Sequence, residues 1–195
     1  MPYTYDVQLQ DDTSYHNPRE WDNVGTIALY DRVRYNFGEE QVSSDALDEI
    51  RNDPNLLTLP IYMYDHSGIT ISTSPFSCRW DSGLVGVIYC TKEKAKHEWP
   101  KASEEEWLEY LESEITVLDQ WLRGEVYEFN IWDEAGNYVD GCLGYFDKES
   151  AIDEAKSLVA YHNEQARLAK RKDWLAALKE ARERRYWLAR EIMTA

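Results

Sequence analysis

The chain reads as an α+β protein: a mainly antiparallel sheet, a long amphipathic helix packed on it, and a helical tail at the C-terminus. Three observations predict this. Between Leu59 and Cys90, apolar and polar residues alternate with period two on either side of His66-Ser67-Gly68, the pattern of a hairpin. Between Ser103 and Leu122, apolar residues recur at three- and four-residue spacing, which gives a helix one buried face. From Val126 to Tyr145 a second alternation is broken by Glu134-Ala135-Gly136-Asn137, again a hairpin. Antiparallel sheets can leave one face wet, so these segments predict a sheet of roughly five to seven strands with the helix across the other face.

In chain order, Tyr3 to Leu9 alternates as a strand, and Asp11 to Pro18 is a polar loop. Gly25 leads into a second strand, Thr26 to Tyr30. Ser44 to Asn52 is a short helix with Ser43 or Ser44 as N-cap and Pro54 as its stop. The Leu84 to Cys90 run is apolar on both faces, as in the middle of a sheet. Thr91 to Trp99 forms a short helix ended by Pro100. The long helix starts at Ser103, whose partner Glu106 completes a capping box; Trp107, Leu108, Leu111, Ile115, Leu118 and Leu122 face the sheet. Another helix begins near Lys148 with Ile152, Ala155 and Val159 on its buried side. Lys170-Arg171-Lys172 interrupts its apolar pattern, and a seam of Trp174, Leu178, Ala181, Arg185, Leu188 and Ile192 follows.

The 195 residues suit one acidic domain over 1–163 and a basic amphipathic tail over 164–195. Formal net charge is −16, unevenly placed: from Glu164 onward nine Lys and Arg face five Asp and Glu, whereas residues 1–163 carry 12 against 32. Such a body repels nucleic acid and anionic lipid. No run approaches the length of a membrane span, and the N-terminus lacks the charged lead and apolar core of a signal peptide, so a cytoplasmic protein is expected. Cys78, Cys90 and Cys142 are odd in number and without C-x-x-C spacing, which argues against a disulfide framework and a structural zinc site. Nucleotide-binding loops, zinc-protease helices and nucleophile elbows are missing from the sequence, and no cofactor is expected.

Polar chemistry concentrates in one stretch, where Asp65, His66, Ser72, Cys78, Arg79 and Asp81 lie close together in sequence. Cys78 and His66 are the residue types of a nucleophile and its base, a pair that works only with the two side chains at about 3 Å and a third group orienting the imidazole. The preferred alternative is that these side chains satisfy turn amides. Glu105, Glu109 and Glu112 line the outer face of the long helix, as a solvated surface or, in the sharper reading, an imitation of a phosphate backbone. Trp21-Asp22, Trp80-Asp81 and Trp132-Asp133 repeat a local pattern. It suits a turn device in which Asp22 and Asp81 accept amides while the indole is partly buried, with a divalent-cation site as the competing reading.

Tyr64-Asp65-His66-Ser67-Gly68, Ser72-Thr73-Ser74-Pro75-Phe76, Trp80-Asp81-Ser82-Gly83 and Gly86-Val87-Ile88-Tyr89, with Arg19 to Thr26 and Gly124 to Tyr127, resemble a family of small acidic proteins of bacteriophages and mobile elements, over about residues 19 to 150. The resemblance implies a phage setting in a host cytosol and carries over no catalytic residue. Joined to the charge, it leads to a phage-type accessory protein that binds and inhibits a host macromolecule. A nucleic-acid-binding defence protein, met by acidic mimicry of its ligand, is the partner class, with no direct contact to nucleic acid or membrane. The alternative is a small enzyme, or a protein that sequesters a nucleotide or other ligand, with its pocket around Asp65 to Asp81. The tail stripe needs covering, either by the acidic body or by the same helix in a homodimer; the homodimer is preferred, because the stripe lies beyond the region of resemblance.

Overall fold

Period-two segments become strands and the three-and-four segment a helix, in an α+β architecture whose computed structural model describes residues 3–10 and 17–194, with side chains as far as Trp187. The strands are β1 (Tyr3–Leu9), β2 (Thr26–Tyr30), β3 (Glu40–Val42), β4 (Leu56–Asp65), β5 (Ile69–Ser72), β6 (Ser82–Thr91), β7 (Tyr127–Asp133) and β8 (Tyr138–Tyr145). The helices are α1 (Ser44–Asn52), α2 (Lys92–Glu98), α3 (Glu104–Leu122) and α4 (Lys148–Thr194). Two compact units emerge: Leu9–Tyr127 with Gly144–Asp147, and a second built from β1, Glu128–Leu143 and α4.

The larger unit holds a five-stranded sheet in the order β3-β2-β6-β4-β5. β6 lies at its centre, antiparallel to β2 with Val87 opposite Ala28 and to β4 with Cys90 opposite Leu57. Val85, Gly86, Val87 and Ile88 are all buried, as expected for a strand covered on both faces. A side chain at Gly86 would run into the Ala28 carbonyl, so the close approach of β2 requires glycine there. On one face Trp107, Leu111, Ile115 and Leu118 of α3 pack against Ile27, Leu29, Ile61, Ile71 and Ile88; on the other, Leu47 of α1 meets Ala28 and Val87. Each such large side chain contributes about 1.5 to 3 kcal/mol on burial. Ser43, Thr91 and Ser103 cap the three helices of this unit, and Ser103 and Glu106 close the capping box.

β3 is a departure from the sequence reading. It runs parallel to β2, which makes the sheet mixed, and Glu40-Gln41-Val42 is too short and polar to announce a strand. Of the polar loop read before Pro18, residues 11–16 lie outside the described residues. Asn17 starts a single 3₁₀ turn, Pro18–Glu20, by accepting the Arg19 N–H at 3.0 Å.

The smaller unit carries an antiparallel sheet in the order β1-β7-β8. Phe129 and Ile131 of β7 and Ala151 and Ala155 of α4 are fully buried. The β7–β8 turn is held by Asp133, whose carboxylate accepts the N–H groups of Ala135 and Asn137 at 2.8 Å each, with Gly136 at φ 79°. These bonds pull the Asp133 carboxyl below its usual range, Asn137 most of all. His162 of α4 meets Asp140 of β8 at 2.9 Å and its ring lies 5.5 Å from that of Tyr3, so this lone histidine ties helix to sheet.

Lys170-Arg171-Lys172 interrupts the apolar phase but not the helix: α4 runs through it for 47 residues, because Lys and Arg are good helix formers. Position 163 lies inside that helix. The Trp-Asp device holds at Asp133 only. Trp132 is half-buried, donating to Asp6 at 2.5 Å, and Trp21 is about half covered, its ring edge-on to Phe146 at 5.4 Å, but Trp80 is 94% exposed on the loop before β6. Among the described residues no backbone amide donates to Asp22 or Asp81. The difference follows from position: Trp132 sits in a strand whose pleat gives it neighbours, whereas Trp80 stands in a loop.

Candidate functional site

Asp65, His66, Ser72, Cys78, Arg79, Asp81, Glu105, Glu109 and Glu112 all lie in the larger unit, but they fall into three places. The β4–β5 turn and the end of the β5–β6 loop form the first. Asp65 closes β4, donating its N–H to the Asp81 carbonyl at 2.9 Å and accepting the Tyr35 hydroxyl at 3.1 Å. That backbone bond brings the Asp81 carboxylate to 3.7 Å from both His66 Nδ1 and Cys78 Sγ. His66 is exposed, stacked on Tyr64 at 5.9 Å, and its N–H donates to the Gly68 carbonyl. The Cys78 carbonyl accepts the Ser82 hydroxyl, which pins the loop. Here a carboxylate stands between thiol and imidazole, accepting a long hydrogen bond from the Cys78 thiol and lying beyond direct hydrogen-bond reach of His66 Nδ1. Such a cluster joins the loop to the hairpin, and it lacks the direct thiol–imidazole contact that nucleophilic chemistry uses.

The second place is a groove of 370 Å³ between β5 and α3, lined by Ser72, Phe76, Glu112, Asp119 and Arg123 among others. Ser72 Oγ accepts the Ser74 N–H at 3.0 Å and Glu112 accepts the Thr73 hydroxyl at 2.7 Å. Asp119 accepts the Ile71 N–H at 2.7 Å and Arg123 Nε at 2.9 Å. β5 is the edge of the sheet, and Asp119 occupies an amide that an edge leaves open. Burial pushes the Asp119 carboxyl above its usual range, against the opposing pull of the Ile71 N–H and Arg123. Arg79 lines a neighbouring groove with Tyr62, Pro75 and Phe76.

Third is the outer face of α3, where Glu105, Glu109 and Glu112 stand exposed at spacings of four and three. They are one part of a strongly acidic unit, since Leu9–Tyr127 with Gly144–Asp147 holds 24 Asp and Glu against ten Lys and Arg. Among the described residues no three His, Cys, Asp or Glu come together in a way that would hold a metal ion, and none of the helices is long and apolar enough to cross a membrane.

One ionic cluster escaped the sequence reading. Arg19, its side chain 9% exposed, donates to Glu39 at 2.7 Å, to Glu114 at 3.0 Å and to the Gly25 carbonyl at 2.7 Å. Glu114 also accepts the N–H groups of Val24 and Gly25, and Glu39 that of Ile27. Every partner is structural: the cluster joins the 3₁₀ turn, the entry to β2 and α3. A signal for it was present, because the 107, 111, 114, 118 spacing places Glu114 on the apolar stripe of α3, and Asp119 follows Ile115 by four in the same way. A carboxylate on a buried stripe demands partners.

No family model matches this chain, and no similar curated protein or solved structure is found.

Proposed function

We propose that the protein works by binding another macromolecule, and that the larger unit makes the contact. The observation that supports this reading is Trp80, 94% exposed on a unit whose surface is rich in carboxylates. A large aromatic side chain that stabilises nothing in its own fold is the residue type that anchors interfaces when a partner's pocket desolvates it. The acidic surroundings select a partner whose pocket is ringed by cations and speed encounter with it. A nucleic-acid-binding protein of a host cell has that chemistry, and the resemblance to phage and mobile-element proteins supplies the setting: an accessory protein acting in the host cytosol to inhibit a defence protein. The exposed row Glu105, Glu109 and Glu112 then imitates phosphates.

The test is capture from a nuclease-treated host extract by the wild-type chain, by Trp80→Ala, and by a variant carrying Glu105→Lys, Glu109→Lys and Glu112→Lys. A specific protein should be retained by the wild type, released by added duplex DNA and by salt, and lost from both variants. Retention that is indifferent to all of these changes would end the proposal. Asp81, placed between Cys78 and His66, keeps an enzyme or ligand-sequestering reading as the alternative. It requires Cys78→Ala to abolish turnover or ligand binding while leaving that capture intact.

A further inference from the structure

We infer that the solvated half of α4 is a docking surface for duplex DNA. From Lys170 to Trp187 every residue is exposed, and Trp174, Leu175 and Leu178 stand among them at 48 to 60% exposure. Charge is segregated around this rod. At about 100° per residue, Lys170, Arg171, Lys172, Lys179, Arg182 and Arg185 fall within one arc of about 200°. Asp173, Glu180 and Glu183 fall on the remaining surface, with Arg184 as the one cation beside them. Among the described residues none of those six cations is in an ion pair. Arg167, earlier on the same arc, is held twice at 2.7 Å by Glu164 and is not counted.

Six unpaired cations spread over about 23 Å of helix match a linear polyanion, and a duplex offers one phosphate charge per roughly 1.7 Å of its axis. An α-helix of about 10 to 12 Å diameter also enters the major groove of B-DNA, which is about 12 Å wide, whereas the deep, narrow groove of A-form RNA excludes it. Two other occupants fit less well. A second copy laid face to face would oppose cation to cation. On a bilayer, an interfacial helix keeps its cations on the flanks of an apolar stripe, yet Arg171 and Arg182 lie between Leu178 and Leu175 on the arc. The net charge of −16 does not forbid the contact, because residues 164–195 themselves carry nine Lys and Arg against five Asp and Glu. Binding of this kind is independent of sequence, as the contacts go to phosphates.

The experiment is fluorescence anisotropy of a labelled, mixed-sequence duplex of about 20 base pairs titrated with the full chain, from about 50 mM salt upward. Binding should weaken linearly in log–log form with a slope no steeper than about −5, the limit for six contacts. Lys170→Glu, Arg171→Glu, Arg182→Glu and Arg185→Glu together keep good helix formers and should weaken binding more than about tenfold with an unchanged circular-dichroism spectrum. Arg171→Lys, Arg182→Lys and Arg185→Lys together should retain it. Four results overturn the inference: no binding at the lowest salt; equal binding by the charge-reversed chain; tighter binding to phosphatidylserine vesicles than to the duplex; or a concentration-dependent dimer that the reversal dissociates.

Discussion

Arg19 shows how a single polar side chain can hold a core together. Its three acceptors come from separate segments, and both glutamates are fixed again by backbone amides. Removing one member of a buried ion pair leaves the others uncompensated, at a cost of about 3 kcal/mol or more. Arg19→Ala should therefore lower the melting temperature by about 10 °C, and adding Glu39→Gln and Glu114→Gln should recover part of the loss; an unchanged melting curve would show that the cluster contributes nothing. Asp119 acts in the opposite sense on pH. Its folded pKa is raised above the unfolded value, so the folded state binds the proton more tightly in the window between them. Its contribution thus weakens the fold as pH rises through the elevated pKa and is relieved as pH falls back toward the unfolded one. Denaturant titrations across mildly acidic pH should show that slope in the wild type and lose it in Asp119→Asn; parallel curves would assign the slope to other groups.

Periodicity made the elements legible and left their partners hidden. The alternation through Leu59–Cys90 and Val126–Tyr145 located β4 to β8, and the caps before α1 and α3 with the stops Pro54 and Pro100 located α1 to α3, because these signals are local in sequence. β3 was invisible for the converse reason: three residues, two of them polar, become a strand only through the neighbouring β2. The candidate site was half legible. Sequence proximity did bring Asp65, His66, Cys78 and Asp81 together, yet the order of contact, with the carboxylate in the middle, depends on the bond from Asp65 to the Asp81 carbonyl across two segments. Helix α4 supplies the element-scale prediction. A chain ending at Ala169 loses residues 170–187, exposed throughout, with the segment that follows them, and keeps Ala151, Ala155 and His162. It should stay soluble and melt cooperatively within a few degrees of the full chain; aggregation or loss of the transition would show that the removed half belongs to the core.

At the scale of the whole molecule, composition misleads by averaging. Of the acidic residues, 24 lie in the larger unit against ten basic ones, while α4 from Glu164 onward reverses the balance. The larger unit thus suits a cationic partner and the rod an anionic one, although a single net charge describes the chain. The continuity of α4 gives that division a thermodynamic basis. An isolated helix must first order a turn, with a nucleation constant of the order of 10⁻³, and in water short helices stay marginal for that reason. In α4 the first turns are ordered by the smaller sheet, so the solvated residues need only propagate a helix that has already begun. Relieved of the need to nucleate or to bury anything, their side chains are free to be chosen for charge.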